Sequence, residues 1–116
     1  MDSAALKATE EYSAAKATHP RVSLDDMKSK IIGEHYFTAG AAAEALGQPA
    51  HPSLSLLTIC ILVMQNGFTV IGKSATASPE NFDPEKGKLF AYEDAIKQLW
   101  PLEGYALRER LSAKAA

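Results

Sequence analysis

Two hydrophobic periods divide the chain. From Leu54 to Gln65 apolar side chains run almost unbroken through Leu56, Leu57, Ile59, Cys60, Ile61, Leu62, Val63 and Met64. Such a run suits a strand covered on both faces. Phe68 to Thr76 returns along it with Phe68, Val70 and Ile71. Between them stands Asn66-Gly67, the strongest short signal for a two-residue hairpin turn, in which both positions take positive φ. That turn predicts Val63 opposite Val70, Leu62 opposite Ile71 and Met64 opposite Thr69. One face then carries Ile59, Ile61, Val63, Phe68 and Val70, and the other Cys60, Leu62, Met64 and Ile71. Both are apolar, whereas a hairpin wet on one side alternates apolar with polar. The second face therefore needs a cover, either the N-terminal helix or another subunit. A subunit is favoured, because so short a chain has few helices to spare.

The helical period appears on either side of the hairpin. Asp83-Pro84 starts a helix, with Asp as N-cap and Pro at the first helical position. Leu89, Tyr92, Ile96 and Leu99 form its apolar stripe, and Glu93 with Lys97 an i,i+4 pair on the wet side. Trp100-Pro101 should break or kink it, and Leu102 to Leu111 continues as a final helix with Leu107 and Leu111 inward. Earlier, Ser23 is a candidate N-cap with Asp26 three residues on. Leu24, Met27 and Ile31 follow at helical spacing, and Gly33 is a natural stop. His35–Thr38 reads as a short strand, Ala41–Leu46 as a helical turn and Gln48–Ser53 as a loop. Residues 1–20 are rich in Ala, Glu and Lys, with Leu6 and Tyr12 the only large apolar groups. They read as a frayed helix or disordered segment with little to bury. Residues 21–116 read as a single α+β domain, an antiparallel hairpin or small sheet packed by N- and C-terminal helices.

Composition narrows the function. A chain of 116 residues, 47% hydrophobic and 22% charged, suits one globular domain. A net charge of −2 gives no electrostatic case for duplex nucleic acid. The longest apolar run, Ile59–Met64, is strand-length and far below a membrane span. The N-terminus lacks a basic-then-apolar pattern, so a cytoplasmic protein is expected. The single cysteine, Cys60, excludes an internal disulfide framework.

Candidate chemistry concentrates between Asn66 and Arg110. Gly67–Ser74 spells the P-loop pattern, G-x-x-x-x-G-K-[ST]. Its four variable residues, Phe68, Thr69, Val70 and Ile71, belong in a strand, and no helix follows Ser74. It reads as a false match. The following loop, Ser74 to Phe82, carries Ser74, Thr76, Asn81 and Phe82 just before a helix start. Such an end offers backbone donors and partial positive charge to an anion, and Phe82 is suited to stacking on a base. The plain alternative is that Asn81 and Asp83 shape the turn and cap the helix while Phe82 packs inward. Arg108 and Arg110 suit phosphate through their two-pronged guanidinium groups. Lying two apart on a helix, they point in nearly opposite directions, so at most one reaches a given site. His19, His35 and His51 show no metal-ligand spacing, Cys60 reads as core packing, and Glu103 and Tyr105 as capping and packing. No nucleophile–base constellation can be read, which fits binding without turnover.

The run from Asn66 to Leu111 resembles a group of small tailed-phage proteins with the pattern NGF-x-V-x-G-x-S, then N-F-D, G, A and W-x-L-E-G-Y-x-L. Here it reads NGFTVIGKS, NFD, Gly87, an alanine and WPLEGYAL. The group includes the first type of Thoeris anti-defence protein. The resemblance implies a sponge that binds cyclic ADP-ribose isomers, or cyclic oligonucleotides in some relatives, and holds them intact in the cytoplasm of the infected bacterial host. It implies homodimers or trimers of dimers with pockets between subunits. The ligand would be held by aromatic stacking, an amide and arginines, which map onto Phe82, Asn81, Arg108 and Arg110. The alternative is a phage interaction module that binds a host protein through an apolar sheet face.

Overall fold

The computed structural model describes residues 3–16 and 19–115. Seven principal elements follow one another: α1 (Ala4–Lys16), α2 (Leu24–Ser29), β1 (Ile31–Thr38), α3 (Ala39–Ala45), β2 (Leu57–Met64), β3 (Thr69–Ala75) and α4 (Pro84–Ala115). The strands form one antiparallel sheet in the order β1-β2-β3. Helices lie at both ends of the chain, so the expected α+β class holds.

Several local signals act as expected. The Ser23 hydroxyl accepts from the Asp26 N–H at 3.0 Å and caps α2. Thr38 does the same for α3, accepting from Ala41 N at 3.2 Å. Asp83 caps α4. Other boundaries move. Helix α2 ends at Ser29, and β1 already begins at Ile31, so Ile31 and Gly33 belong to a strand. Helix α4 runs unbroken through Pro101 for 32 residues. Proline removes one hydrogen bond there, but anchored contacts on either side keep the path helical: Leu99 is buried against the core and Glu103 bonds Lys30.

The hairpin register differs by one residue from the expectation. Leu62 pairs with Val70, Ile61 with Ile71 and Val63 with Thr69. The Met64 carbonyl accepts from Gly67 N at 2.9 Å, and Met64 N donates to the Phe68 carbonyl at 2.8 Å. Within this turn Gly67 alone takes positive φ, +85°, and Asn66 does not. The connection is therefore a three-residue loop, Gln65–Gly67, with glycine in the left-handed position. The Asn66 carboxamide oxygen accepts from Phe68 N and stiffens it.

Packing selects this register. Thr58, Cys60, Leu62, Met64, Val70 and Gly72 now point to one side, and they are buried. Leu24 and Met27 of α2 and Ala91, Tyr92, Ala95, Ile96 and Leu99 of α4 complete that core. A Cβ on Gly72 would lie 2.0 Å from the Ala91 carbonyl oxygen and 2.4 Å from Ala95 N. The helix thus rests directly on the strand backbone. The alternative register would turn Gly72 outward and Lys73 into the core, where an unpaired charge is prohibitive.

The opposite sheet face reads, across the three strands, Gly33–Val63–Thr69, His35–Ile61–Ile71 and Phe37–Ile59–Lys73. None of these residues belongs to the buried core. Ile71 is 55% and Phe37 38% exposed. Helix α1 does not cover it, because Leu6 packs on the core side. The far half of α4 also runs past the sheet, leaving Leu102 and Tyr105 exposed. The radius of gyration, 17.1 Å, accordingly exceeds the about 13 Å of a compact chain this long.

Both sheet edges are blunted. Asp94 and Gln98, one turn apart on α4, clip onto β3: Asp94 accepts from Lys73 N at 2.9 Å, and Gln98 donates to the Ile71 carbonyl at 2.6 Å. Edge β1 carries a register irregularity between Ile31 and Gly33, and its Glu34 is exposed. Irregularities and charge of this kind discourage edge pairing.

Helix α1 is held by one carboxylate. Glu10 accepts from the Arg21 guanidinium at 2.6 Å and from Leu24 N, the first donor of α2, at 3.0 Å. Arg21 also reaches Ser13. The hydrogen bond from Arg21 holds the Glu10 carboxyl below the usual glutamate range.

Gly72→Ala is expected to destabilise the fold by about 1–3 kcal/mol or more, since backbone cannot yield as a side chain does. Gly104→Ala, with open space around it, is expected to stabilise by about 0.5–1 kcal/mol through helix propensity. Thermal melts that rank these two the other way would contradict the packing described. For Glu10, whose folded pKa is depressed, the contribution is present above the ordinary glutamate pKa and is lost as pH falls through the folded value. Hydrogen exchange in α1 is expected to accelerate selectively in acid, and Glu10→Gln to reproduce this at neutral pH.

Candidate functional site

The loop between β3 and α4 closes over the start of the helix. Thr76 Oγ1 donates to the Ser78 carbonyl at 3.3 Å, and Ser78 Oγ donates to Glu80 at 2.7 Å. Pro79–Asn81 forms one tight 3-10 turn. Phe82 then folds back, half-buried, toward Gly87. The result is a cleft of about 200 Å³ lined by Ser74, Thr76, Asn81, Phe82, Lys86 and Phe90, with Leu56, Ala75, Asp83 and Gly87. Four of the six residues singled out from sequence, Ser74, Thr76, Asn81 and Phe82, therefore meet in one place.

The two arginines do not join them. At 1.5 Å per residue, α4 carries Arg108 about 36 Å from its first residue. Arg110 lines a different cleft of about 400 Å³, at the hairpin turn, with Lys30, Gln65, Asn66, Phe68, Leu99, Leu102 and Glu103 among its walls. Arg108 does not line it, as expected for residues two apart on a helix. Glu103 is an ion-pair partner, bonding Lys30 at 2.6 Å. The pair ties the start of β1 to the far half of α4. Tyr105 is 69% exposed.

The helix start differs electrostatically from the anion site that its sequence suggests. Asp83 Oδ1 accepts from Glu85 N at 3.0 Å and Lys86 N at 3.4 Å. The Asp83 carbonyl accepts from Gly87 N at 2.9 Å, and Pro84 has no N–H. The donors of the first turn are already bonded. The plain reading of Asp83 as a cap is therefore correct, whereas Phe82 lies at the cleft and outside the buried core cluster.

The Gly67–Ser74 segment forms no phosphate loop. Gly67 serves the hairpin, Thr69–Ala75 is strand β3 and Gly72 is the seat of α4. Cys60 is wholly buried. Burial pushes its thiol up, away from the reactive thiolate, although a hydrogen bond with Tyr36 acts the other way. Tyr36 donates to Glu34 at 2.8 Å, and burial raises its hydroxyl strongly. His51 Nδ1 accepts from Ser53 N and shapes the turn before β2. Among the described residues no helix is long and apolar enough to cross a membrane.

Sequence reading missed Phe90, Lys86 and Leu56 in the first cleft, and Lys30, Gln65 and Phe68 in the second. Phe90 had a visible signal. It is a large aromatic off the Leu89–Tyr92–Ile96–Leu99 stripe, one turn from Lys86 and Asp94. It is 52% exposed, which a core residue would not be.

No curated protein and no solved structure matches this chain. Residues 22–111, most of the chain with the whole sheet and both clefts, match one family of phage proteins. The chain belongs to the Phage protein (N4 Gp49/phage Sf6 gene 66) family.

Proposed function

We propose that this phage protein captures a cyclic ADP-ribose-type immune signal, or a cyclic oligonucleotide of similar chemistry, and holds it without degrading it. It would act as an anti-defence sponge in the cytoplasm of the infected bacterium. The observation that carries this reading is the convergence of Ser74, Thr76, Asn81 and Phe82 on one cleft. Phe82 offers a stacking surface, Asn81 an amide and the two hydroxyls further hydrogen bonds.

Arg108 and Arg110 lie too far along α4 to serve the same cleft within one chain. A site that uses them takes them from a second copy. The open apolar sheet face and the overhanging half of α4 support a homodimer or a larger closed assembly such as a trimer of dimers. Stoichiometric capture calls for tight binding, and nanomolar affinity corresponds to about −12 kcal/mol. Two charge-assisted phosphate contacts of about 1.5–3 kcal/mol each and a base stack of about 1–3 kcal/mol supply much of it, and a preformed pocket lowers the ordering cost.

A second reading rests on the sheet face itself. Phe37, Ile59, Ile61, Val63 and Ile71 form a contiguous apolar surface, the kind that marks a protein contact. On this reading the chain binds and redirects a host protein.

Three measurements separate these outcomes. Incubation with cyclic ADP-ribose isomers and cyclic di- and trinucleotides, followed by heat removal of the protein, is expected to return the ligand unchanged. A converted product would identify an enzyme, and the absence of a thermal shift with every nucleotide would sink the proposal. Phe82→Ala and Arg108→Ala are each expected to weaken capture about tenfold or more at an unchanged melting temperature; wild-type binding by both would displace the site. Light scattering is expected to give at least a dimer. A monomeric mass would contradict the shared site.

A further inference from the structure

We infer that the cleft between β3 and the start of α4 receives the uncharged base-and-sugar portion of its ligand and turns the phosphates away. This rests on the nucleotide reading above. The recognition groups are uncharged. Phe82 and Phe90 present two aromatic faces, one at the end of the loop and one two turns into α4. Every base has a face that stacks on such rings. Ser74, Thr76 and Asn81 supply hydroxyl and amide groups, which both donate and accept, as base edges and ribose hydroxyls require. The Asn81 side chain makes no hydrogen bond to another described residue and stands free for this.

The charges run against a phosphate. A helix start usually offers phosphate its free backbone donors, but here Asp83 occupies those of Glu85, Lys86 and Gly87. Asp83 is a lining residue of the cleft with its carboxylate on the first-turn N–H groups, and Glu80 and Glu85 are close by in sequence. Glu85 in turn engages Lys88 at 3.7 Å. Lys86 is the one cation among the lining residues. A phosphate entering here gives up hydration and meets carboxylate. Size agrees with charge. At about 200 Å³ the cleft is smaller than the roughly 300–1,000 Å³ that encloses a drug-sized ligand. It takes one ring with its sugar, not a dinucleotide. The phosphates then project outward, to cations that lie beyond this cleft.

The full chain, labelled with nitrogen-15, is titrated with adenosine, guanosine, their 5′-monophosphates and inorganic pyrophosphate. At least one nucleoside is expected to shift the amide signals of residues 74–76 and 81–90, with an affinity within about threefold of its monophosphate. Pyrophosphate is expected to leave those signals in place. Asp83→Asn combined with Glu85→Gln keeps a capping side chain and is expected to strengthen the monophosphate several-fold relative to the nucleoside. A monophosphate about tenfold tighter than its nucleoside in the wild type, or pyrophosphate shifts on the first turn of α4, overturns the assignment. Capture of cyclic ADP-ribose with shifts confined to other residues overturns it while the sequestration reading stands. No shift with any nucleoside or nucleotide, cyclic ADP-ribose included, overturns both.

Discussion

The contact between Gly72 and the Ala91–Ala95 turn of α4 organises this fold. Removing the side chain at one strand position and keeping only methyl groups on the helix lets two backbones touch. That contact sets which face of β3 is inward, and through cross-strand pairing it sets β2 and β1 as well. It brings Asp94 and Gln98 within reach of the strand edge. It also lays the first turn of α4 beside the end of β3, so that Phe90 on the helix and Ser74 on the strand share a cleft. The geometry of the candidate site is thus a by-product of one close approach between Gly72, before the loop, and Ala91 and Ala95, after it.

The same helix separates two kinds of chemistry. Its start is closed by Asp83 and borders a cleft with aromatic, hydroxyl and amide groups, and its far half carries Arg108 and Arg110. A rigid 32-residue helix cannot fold its cations back onto its own beginning. A ligand that needs both the Phe82 seat and these guanidinium groups would have to draw them from two chains. The open sheet face and the overhang of α4 point in the same direction, because each leaves apolar surface that one copy does not cover.

Much of this was legible in the residues. The caps at Ser23 and Asp83, the hairpin and the apolar stripe of α4 follow from local rules that act over a few positions. So does the rejection of the P-loop pattern, since Phe68–Ile71 could only be strand. The register was not legible from Asn66-Gly67, because that dipeptide fits a two-residue turn and also a three-residue loop with glycine alone in the left-handed region. The deciding information lay further on, in the Gly72-Lys73 pair, where one residue must face a helix and the other must not. The four cleft residues were legible because they cluster in sequence. Phe90 and Lys86 come from the helix face that happens to meet the loop, and Lys30 comes from a distant segment. The occupied donors of the first turn were hidden for another reason. An aspartate at a helix start reads alike whether it merely caps the helix or also shuts an anion site.

The blunted edges of the sheet bear on how much of this protein a cell can hold. On the sequestration proposed above, the protein would neutralise its target one molecule at a time and so need a copy number matching that of the signal. Small open sheets fail at such concentrations when a bare edge recruits strand after strand. Here the side chains of Asp94 and Gln98 occupy one edge, and the irregular, charged β1 spoils the other. What remains adhesive is a face, and faces pair off and saturate where edges propagate. Two polar side chains on one helix thus close the edge route to assembly in a chain that keeps a large exposed apolar surface.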